Sequence, residues 1–327
     1  MDAELPAELL ERPFAAIREA CAEVAARARH VSIDAAALER FADAIPHEEL
    51  GRAATHFPRL GGDAEALAAF VLCLDALNFG SGWFPHLRKR EGMSGYRTIE
   101  AALRERFERA GPFEARALRV FDARAAAELL GQGPAAPPVD ELMELYARAL
   151  RELGERVALR AGGSFAGFVE EAGGSAAALV RSLVAMPLWR DVARHDGQLV
   201  PFLKRAQIAA SDLAHALPDD LGRFHDLDEL TTFADNLVPH VLRLDGVLRF
   251  EPALVAKIDA EELLVWGSAE EVEIRACAVD AVEQLAVRMG ARGAPVRARD
   301  LDEWLWLRGG GPRYKAQPRH RSRCSFY

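Results

Sequence analysis

Positive charge is in short supply in this chain of 327 residues. Against 50 Asp and Glu stand 41 Lys and Arg, a formal net charge of −9. A general nucleic-acid binder is usually basic, so the surface as a whole does not advertise that role. Cysteine is sparse too. Cys21, Cys73, Cys277 and Cys324 lie far apart. None is paired at metal-ligand spacing, and the sparse use suits a reducing cytosol. No apolar run approaches membrane-spanning length, and the acidic N-terminus lacks an apolar signal core. A soluble cytoplasmic protein is therefore expected. The GxxxxGK[ST] spacing of a phosphate-cradling loop is missing. Strand-like alternation is scarce.

What is there is helical pattern. Half of the residues are hydrophobic, which implies a folded core rather than disorder. Ala and Leu dominate, and both favour helix. The expectation is an all-α fold: one domain over 1–327, with a possible division into an N-terminal helical lobe (1–130) and a second lobe (140–327). The stretch GQGPAAPPV, residues 131–139, reads as a linker because Pro and Gly oppose helix. Residues 6–29, 35–44, 97–107, 112–130, 140–160 and 175–186 read as helices. Ala64–Ala76 is apolar nearly all round, the mark of a buried helix. It runs into LNFGSGWFPHL, where Phe79 and Trp83 stand among glycines. They can line a pocket for a flat ring or plug the end of a core. His47 follows a proline turn, a surface or capping position that can also reach into a site.

The most informative stretch is Glu229–Gly246, ELTTFADNLVPHVLRLDG. Leu230, Phe233, Ala234, Leu237, Val241 and Leu244 share one face of a helical period. Asp226 with Glu229 resembles a capping box. Pro239 predicts a kink or a new helix start. Asp235, beside Phe233 and Asn236, falls just before that break. It suits a catalytic carboxylate; from spacing alone a solvated residue or a cap for the second helix is the plainer reading. Further upstream, Pro201 fits the first turn of a helix that carries Phe202 on its buried stripe. Lys204 and Arg205 lie early in that helix, where exposed backbone amides and positive charge favour an anion. Ser268 predicts another helix start. In the basic end of the chain, Tyr314, Pro318, Phe326 and Tyr327 are unusually apolar for a loose tail, so that segment should pack back onto the body.

Taken together, LNFGSGWF (77–84), LVPFLKRAQIAASDL (199–213), FHDLDELTTFADNLVPHVLRLDGVL (224–248), EVEIRACAVDAVE (271–283) and LDEWLWLRGGGPRYKAQPRHRSRCSFY (301–327) resemble one family. It is the queuosine salvage proteins, the queuosine 5′-phosphate N-glycosylase/hydrolase family. The run Asn236–His240 departs from the family's Arg-Val-Pro-Gln-like pattern. The resemblance implies a fold like the helix–hairpin–helix DNA glycosylases, with additional N-terminal helices, although the hairpin glycine pair is missing here. It implies cleavage of queuosine 5′-monophosphate to queuine, for reuse in tRNA modification, and ribose 5-phosphate.

By that resemblance Asp235 is the catalytic carboxylate, with Asp228 and Asp245 better explained as caps. Phe233, Phe79 and Trp83 are expected to stack on the base. Asn236 lies beside the carboxylate. Asp302 or His47 is expected to bond the base or its aminocyclopentenediol arm. Lys204, Tyr314, Lys315, Arg319 and His320 are expected around the 5′-phosphate, with Arg205 and Arg321 as further basic neighbours. No cofactor, no metal and no stable nucleic-acid partner is implied. Two other readings stay open at this point: a DNA or RNA base glycosylase of the same helical type, and a non-catalytic helical binding scaffold.

Overall fold

The structure is a computed structural model, and it describes residues 5–51, 62–218 and 220–327. Among them are sixteen α-helices and two small antiparallel pairs of strands. The all-α expectation therefore holds. The chain separates into two compact units, neither of them continuous in sequence. The first comprises Met1–Ala54, Asp191–Lys204 and Asp228–Arg323; the second comprises Thr55–Arg190, Arg205–Leu227 and Cys324–Tyr327. The Gly/Pro stretch 131–139, read as a linker, falls inside the second unit.

The first unit is built on the helix Ala269–Ala291. Ser268 starts it, accepting a hydrogen bond from the Glu271 amide, with Glu270 and Glu271 in the first turn as the dipole favours. The core-facing side of its later turns is apolar. Cys277, Ala278, Ala281, Val282, Leu285 and Met289 join a core with Val238, Val241 and Leu242 of the helix Leu237–Leu244 and Leu301, Trp304 and Leu305 of the helix Ala298–Gly309. The last two helices approach closely. A Cβ on Gly309 would stand 2.7 Å from Leu237. Strand Val31–Ile33 pairs with Leu248–Phe250, Ser32 opposite Arg249.

A second pair of strands, Val192–His195 and Gln198–Pro201, was not foreseen. Asp196 and Gly197 join them, both with positive φ (46° and 85°), as a two-residue hairpin turn requires. The hairpin also corrects the reading of Pro201. It closes a strand, and the helix begins at Lys204. Phe202 precedes that helix and does not belong to its stripe.

The second unit packs the helices Ala64–Ala76, Gly95–Ala110, Val139–Ala161 and Ala176–Val184. Residues Ala66 to Ala76 are all buried, as an apolar circumference requires. No helix among the described residues is long and apolar enough to cross a membrane.

Candidate active site

The expected helix through residues 229–238 does not form. Leu227–Glu229 makes one tight turn, residues 230–236 run without regular structure, and the helix starts at Leu237. Pro239 is its third residue. A proline is tolerated there because the first amides of a helix have no partner within it. The Asp226 capping box fails as well. Its carboxylate accepts from Ser175 Oγ and from the Ala176 and Ala177 amides, so it caps a helix distant in sequence.

Asp235 occupies the start of the new helix. Its Oδ1 accepts the amides of Leu237 (2.7 Å) and Val238 (3.0 Å). From Leu230 to Leu242 every residue is buried except Asp235, which is partly exposed. Among the described residues nothing donates a hydrogen bond to its Oδ2. The fold thus fixes one oxygen and presents the carboxylate at the only wet position of a dry segment.

Charged and polar groups converge on it. The Phe233 amide donates to Asp302 Oδ1 (2.8 Å). Asp302, from the helix Ala298–Gly309, is buried, and burial holds its carboxyl well above the usual range. The Asp235 charge acts in the same direction, and the Phe233 amide and Lys204 act against it. Buried Lys204 therefore lies in the field of this pair. Burial lowers the Arg319 guanidinium, while Asp235 draws it the other way. Asn236 Nδ2 donates to the His320 carbonyl (3.3 Å). His240 Nε2 donates to the Tyr314 carbonyl (2.9 Å). Both imidazoles are kept neutral, chiefly by burial, with His240 lowered to about 4 and His320 to about 3.

Two neighbouring carboxyl groups in unlike surroundings, one buried and raised and one partly exposed, are a familiar starting point for bond cleavage at a sugar carbon. The comparisons with known proteins point the same way. The profile of the queuosine salvage protein family matches residues 58–327. The chain belongs to this family. Over 272 residues it is 40% identical to a protein of Sphaerobacter thermophilus named queuosine 5′-phosphate N-glycosylase/hydrolase, covering 80% of this chain and 82% of the relative. Proteins of the same name from Mus musculus and Bos taurus are each 29% identical, over 95% of this chain and 98% of theirs.

In this member of the queuosine salvage family, Asp235, Phe233, Asn236, Asp302, Lys204, Arg319 and His320 share the first unit and are linked by the contacts above. Other expected residues stand elsewhere. Phe79 and Trp83 belong to the second unit and are buried in it. The Phe79 carbonyl accepts the Tyr146 hydroxyl (2.7 Å), and Trp83 Nε1 donates to Glu141 (2.9 Å). Arg205, in the same unit, donates to the carbonyls of Asp75, Ala76 and Leu188 and lies between Phe79 and Trp189. It thereby satisfies the end of the helix Ala64–Ala76.

In the first unit, His47 is exposed on the turn His47–Glu49. Lys315 is exposed as well. Tyr314 is buried, but its hydroxyl donates to Asp245 (2.8 and 3.1 Å). Asp245 also receives Arg308 and Arg313 (both 3.1 Å), and Asp228 pairs with Arg297 (2.6 Å).

Sequence reasoning missed Asp191 and Arg275, a buried ion pair of the first unit. The signal available for Arg275 was a lone cation amid the mainly apolar stretch IRACAV. One possible metal-holding group also escaped it. The ligand atoms of His30, Glu251 and Glu270 lie within 4.8 Å of one another. Glu270 already holds the Lys257 ammonium (2.7 Å), and His30 bonds Glu251 (2.7 Å).

Proposed function

We propose that the chain hydrolyses the N-glycosidic bond of queuosine 5′-monophosphate, releasing queuine and ribose 5-phosphate. The observation that carries the reading is Asp235: a backbone-fixed, solvent-reachable carboxylate in a buried segment of a queuosine salvage family member.

As the bond between C1′ and the base nitrogen lengthens, its electron pair leaves with the base and positive charge grows on the ribose ring. Asp235 stabilises that charge. Because Oδ1 is already held by two amides, Oδ2 is aimed without reorganisation when the charge develops. Water then adds its hydroxyl to C1′, and its proton goes to the departing nitrogen. Burial and the Asp235 charge raise the Asp302 carboxyl, which favours its protonated form, a hydrogen-bond donor to the base rather than a second anion. Lys204 and Arg319 supply positive charge for the 5′-phosphate, for which Arg is the better-shaped partner.

The net charge of −9, with only a local basic run from Arg313 to Arg323, favours a free nucleotide over a nucleic acid. Four free, buried cysteines fit a reducing cytoplasm.

The test compares the wild type with Asp235→Asn on queuosine 5′-monophosphate, following free queuine by chromatography. The wild type should release queuine, and the variant should lose at least about a thousandfold in kcat while melting within a few degrees of it. Equal turnover by both proteins would move the catalytic role away from Asp235. No release by a folded wild type would sink the reaction itself.

A further inference from the structure

The side chain of Arg275 touches two arms, the segments that lead into Asp235 and Lys204. It projects from the helix Ala269–Ala291 and is 0% exposed. Its Nε donates to the Ala234 carbonyl (2.9 Å), the peptide that leads into Asp235. Its Nη1 and Nη2 grip both oxygens of Asp191 (3.0 and 2.6 Å). Its plane lies 3.9 Å from the centre of the Phe202 ring. Asp191 in turn fastens the second arm. Its carbonyl accepts the amides of Phe202 (2.9 Å) and Leu203 (3.1 Å), and its Oδ2 accepts the Lys204 amide (3.2 Å).

Neither arm has regular structure of its own at these points. Residues 230–236 form no helix or strand, and Leu203 sits at a positive φ of 49°. Ladder hydrogen bonds therefore do not fix the peptide before Asp235, nor the turn before Lys204. The guanidinium does so, through the Ala234 carbonyl and the Asp191 carboxylate, with Glu271 of its own helix pairing Nη1 at 3.5 Å. A buried ion pair is poor evidence for stability as such, because desolvation offsets its attraction. Its worth here is geometric. The planar, two-sided fork of arginine is a shape that lysine cannot reproduce.

We propose that Arg275 and Asp191 are positioning residues for the proposed glycosidase reaction, locking the Asp235 peptide and the Lys204 turn into one rigid frame. The inference rests on the function proposed above. Neither residue needs to touch the substrate. Displacing a reacting carboxylate by about 1 Å is enough to cost on the order of a hundredfold in rate.

The experiment uses the full chain with queuosine 5′-monophosphate. Arg275→Lys keeps the charge and loses the fork. It should lower kcat about a hundredfold, leave KM within about threefold, and melt close to the wild type. Asp191→Asn, which keeps the shape and loses the charge, should show the same split. Adding ethylguanidinium to Arg275→Ala should restore part of kcat, and ethylammonium should restore none. A wild-type kcat in Arg275→Lys overturns the proposal. So does a rate loss that merely tracks the unfolded fraction. A crystal structure of Arg275→Lys tests the frame independently of turnover. A shifted Asp235 carboxylate supports the frame, and an unmoved one, still bonded to the Leu237 and Val238 amides, refutes it. Failure of the wild type to release queuine would count against the reaction, and the crystallographic result would still decide the frame.

Discussion

Asp235 and Asp245 sit at opposite ends of the helix Leu237–Leu244, and their surroundings differ in kind. Asp235 receives two backbone amides on one oxygen and nothing from the described residues on the other. Asp245 receives Tyr314, Arg308 and Arg313 and is saturated. Each carboxylate suits its end. An anion at the N-terminus satisfies amides and meets the positive end of the dipole. At the C-terminus an anion faces carbonyl oxygens and needs cations around it, which the arginines provide. An end that satisfies its carboxylate with backbone leaves room for a substrate. The end that surrounds its carboxylate with side chains has used that room for structure.

Acid should break the contrast most strongly, because His240 supports the Asp245 end. Its Nε2 donates to the carbonyl of Tyr314, whose hydroxyl serves Asp245. His240 titrates at about 4 in the fold against an ordinary 6.5. The unfolded chain therefore takes up its proton first as pH falls. Stability is full above 6.5 and is lost as pH drops through the interval down to about 4, with His320 extending the loss toward about 3. From His240 alone the loss is on the order of 3 kcal/mol. Asp302 has the opposite sign. Its folded-state pKa is raised, so its contribution is complete at low pH and declines as pH rises, and it cannot cause acid lability. Urea unfolding at a series of pH values should show the acid loss in the wild type and a flatter acid limb in His240→Gln. An unchanged limb would move the lability to other groups.

Smaller, but more specific to one end, is Asp245→Asn. The amide can keep one acceptor for Tyr314 but removes the charge between two arginines. The expected cost is about 2 kcal/mol of stability, with kcat unchanged. Asp235→Asn should do the reverse. If Asp245→Asn lowered kcat without lowering stability, the division of labour between the two ends would be wrong.

Much of this was legible in the sequence, and the misses share a cause. The family could be recognised from its long motifs, the place of Asp235 at a helix break from its segment, and the helix after Ser268 from local cap chemistry. The buried helix Ala64–Ala76 followed from its apolar circumference. Pro239 left two outcomes open, because a proline looks the same to local reading whether it kinks a long helix or sits in the first turn of a new one; the new start is what forms. What decides is the cap, and Asp235 supplies it. Asp226 misled because its partners are the amides of Ala176 and Ala177, about 50 residues away. The Arg275–Asp191 pair spans 84 residues, and no periodicity encodes such a contact. The turn at Asp196–Gly197 was readable, since that dipeptide supplies positive φ at both turn positions. Its flanking strands, of 4 residues each, are too short to show a clear alternation.

The smallest expected effect separates two cations that the sequence placed together. Lys315 and Arg319 are four residues apart in one basic tail, and by sequence either could serve the 5′-phosphate. The fold separates them. Lys315 ends a single-turn helix and is exposed, while Arg319 is half-buried in the field of Asp235. An exposed ammonium is screened by water and salt, so its pull on a bound phosphate is weak. A partly desolvated guanidinium interacts more strongly and can bond two phosphate oxygens at once. Arg319→Met should therefore raise KM for the nucleotide about tenfold, worth ~1.4 kcal/mol, and leave KM for the nucleoside unchanged. Lys315→Ala should change both by less than about threefold. If Lys315→Ala had the larger effect, phosphate would bind toward the solvent side of the tail. The open end of the helix would then serve the sugar alone.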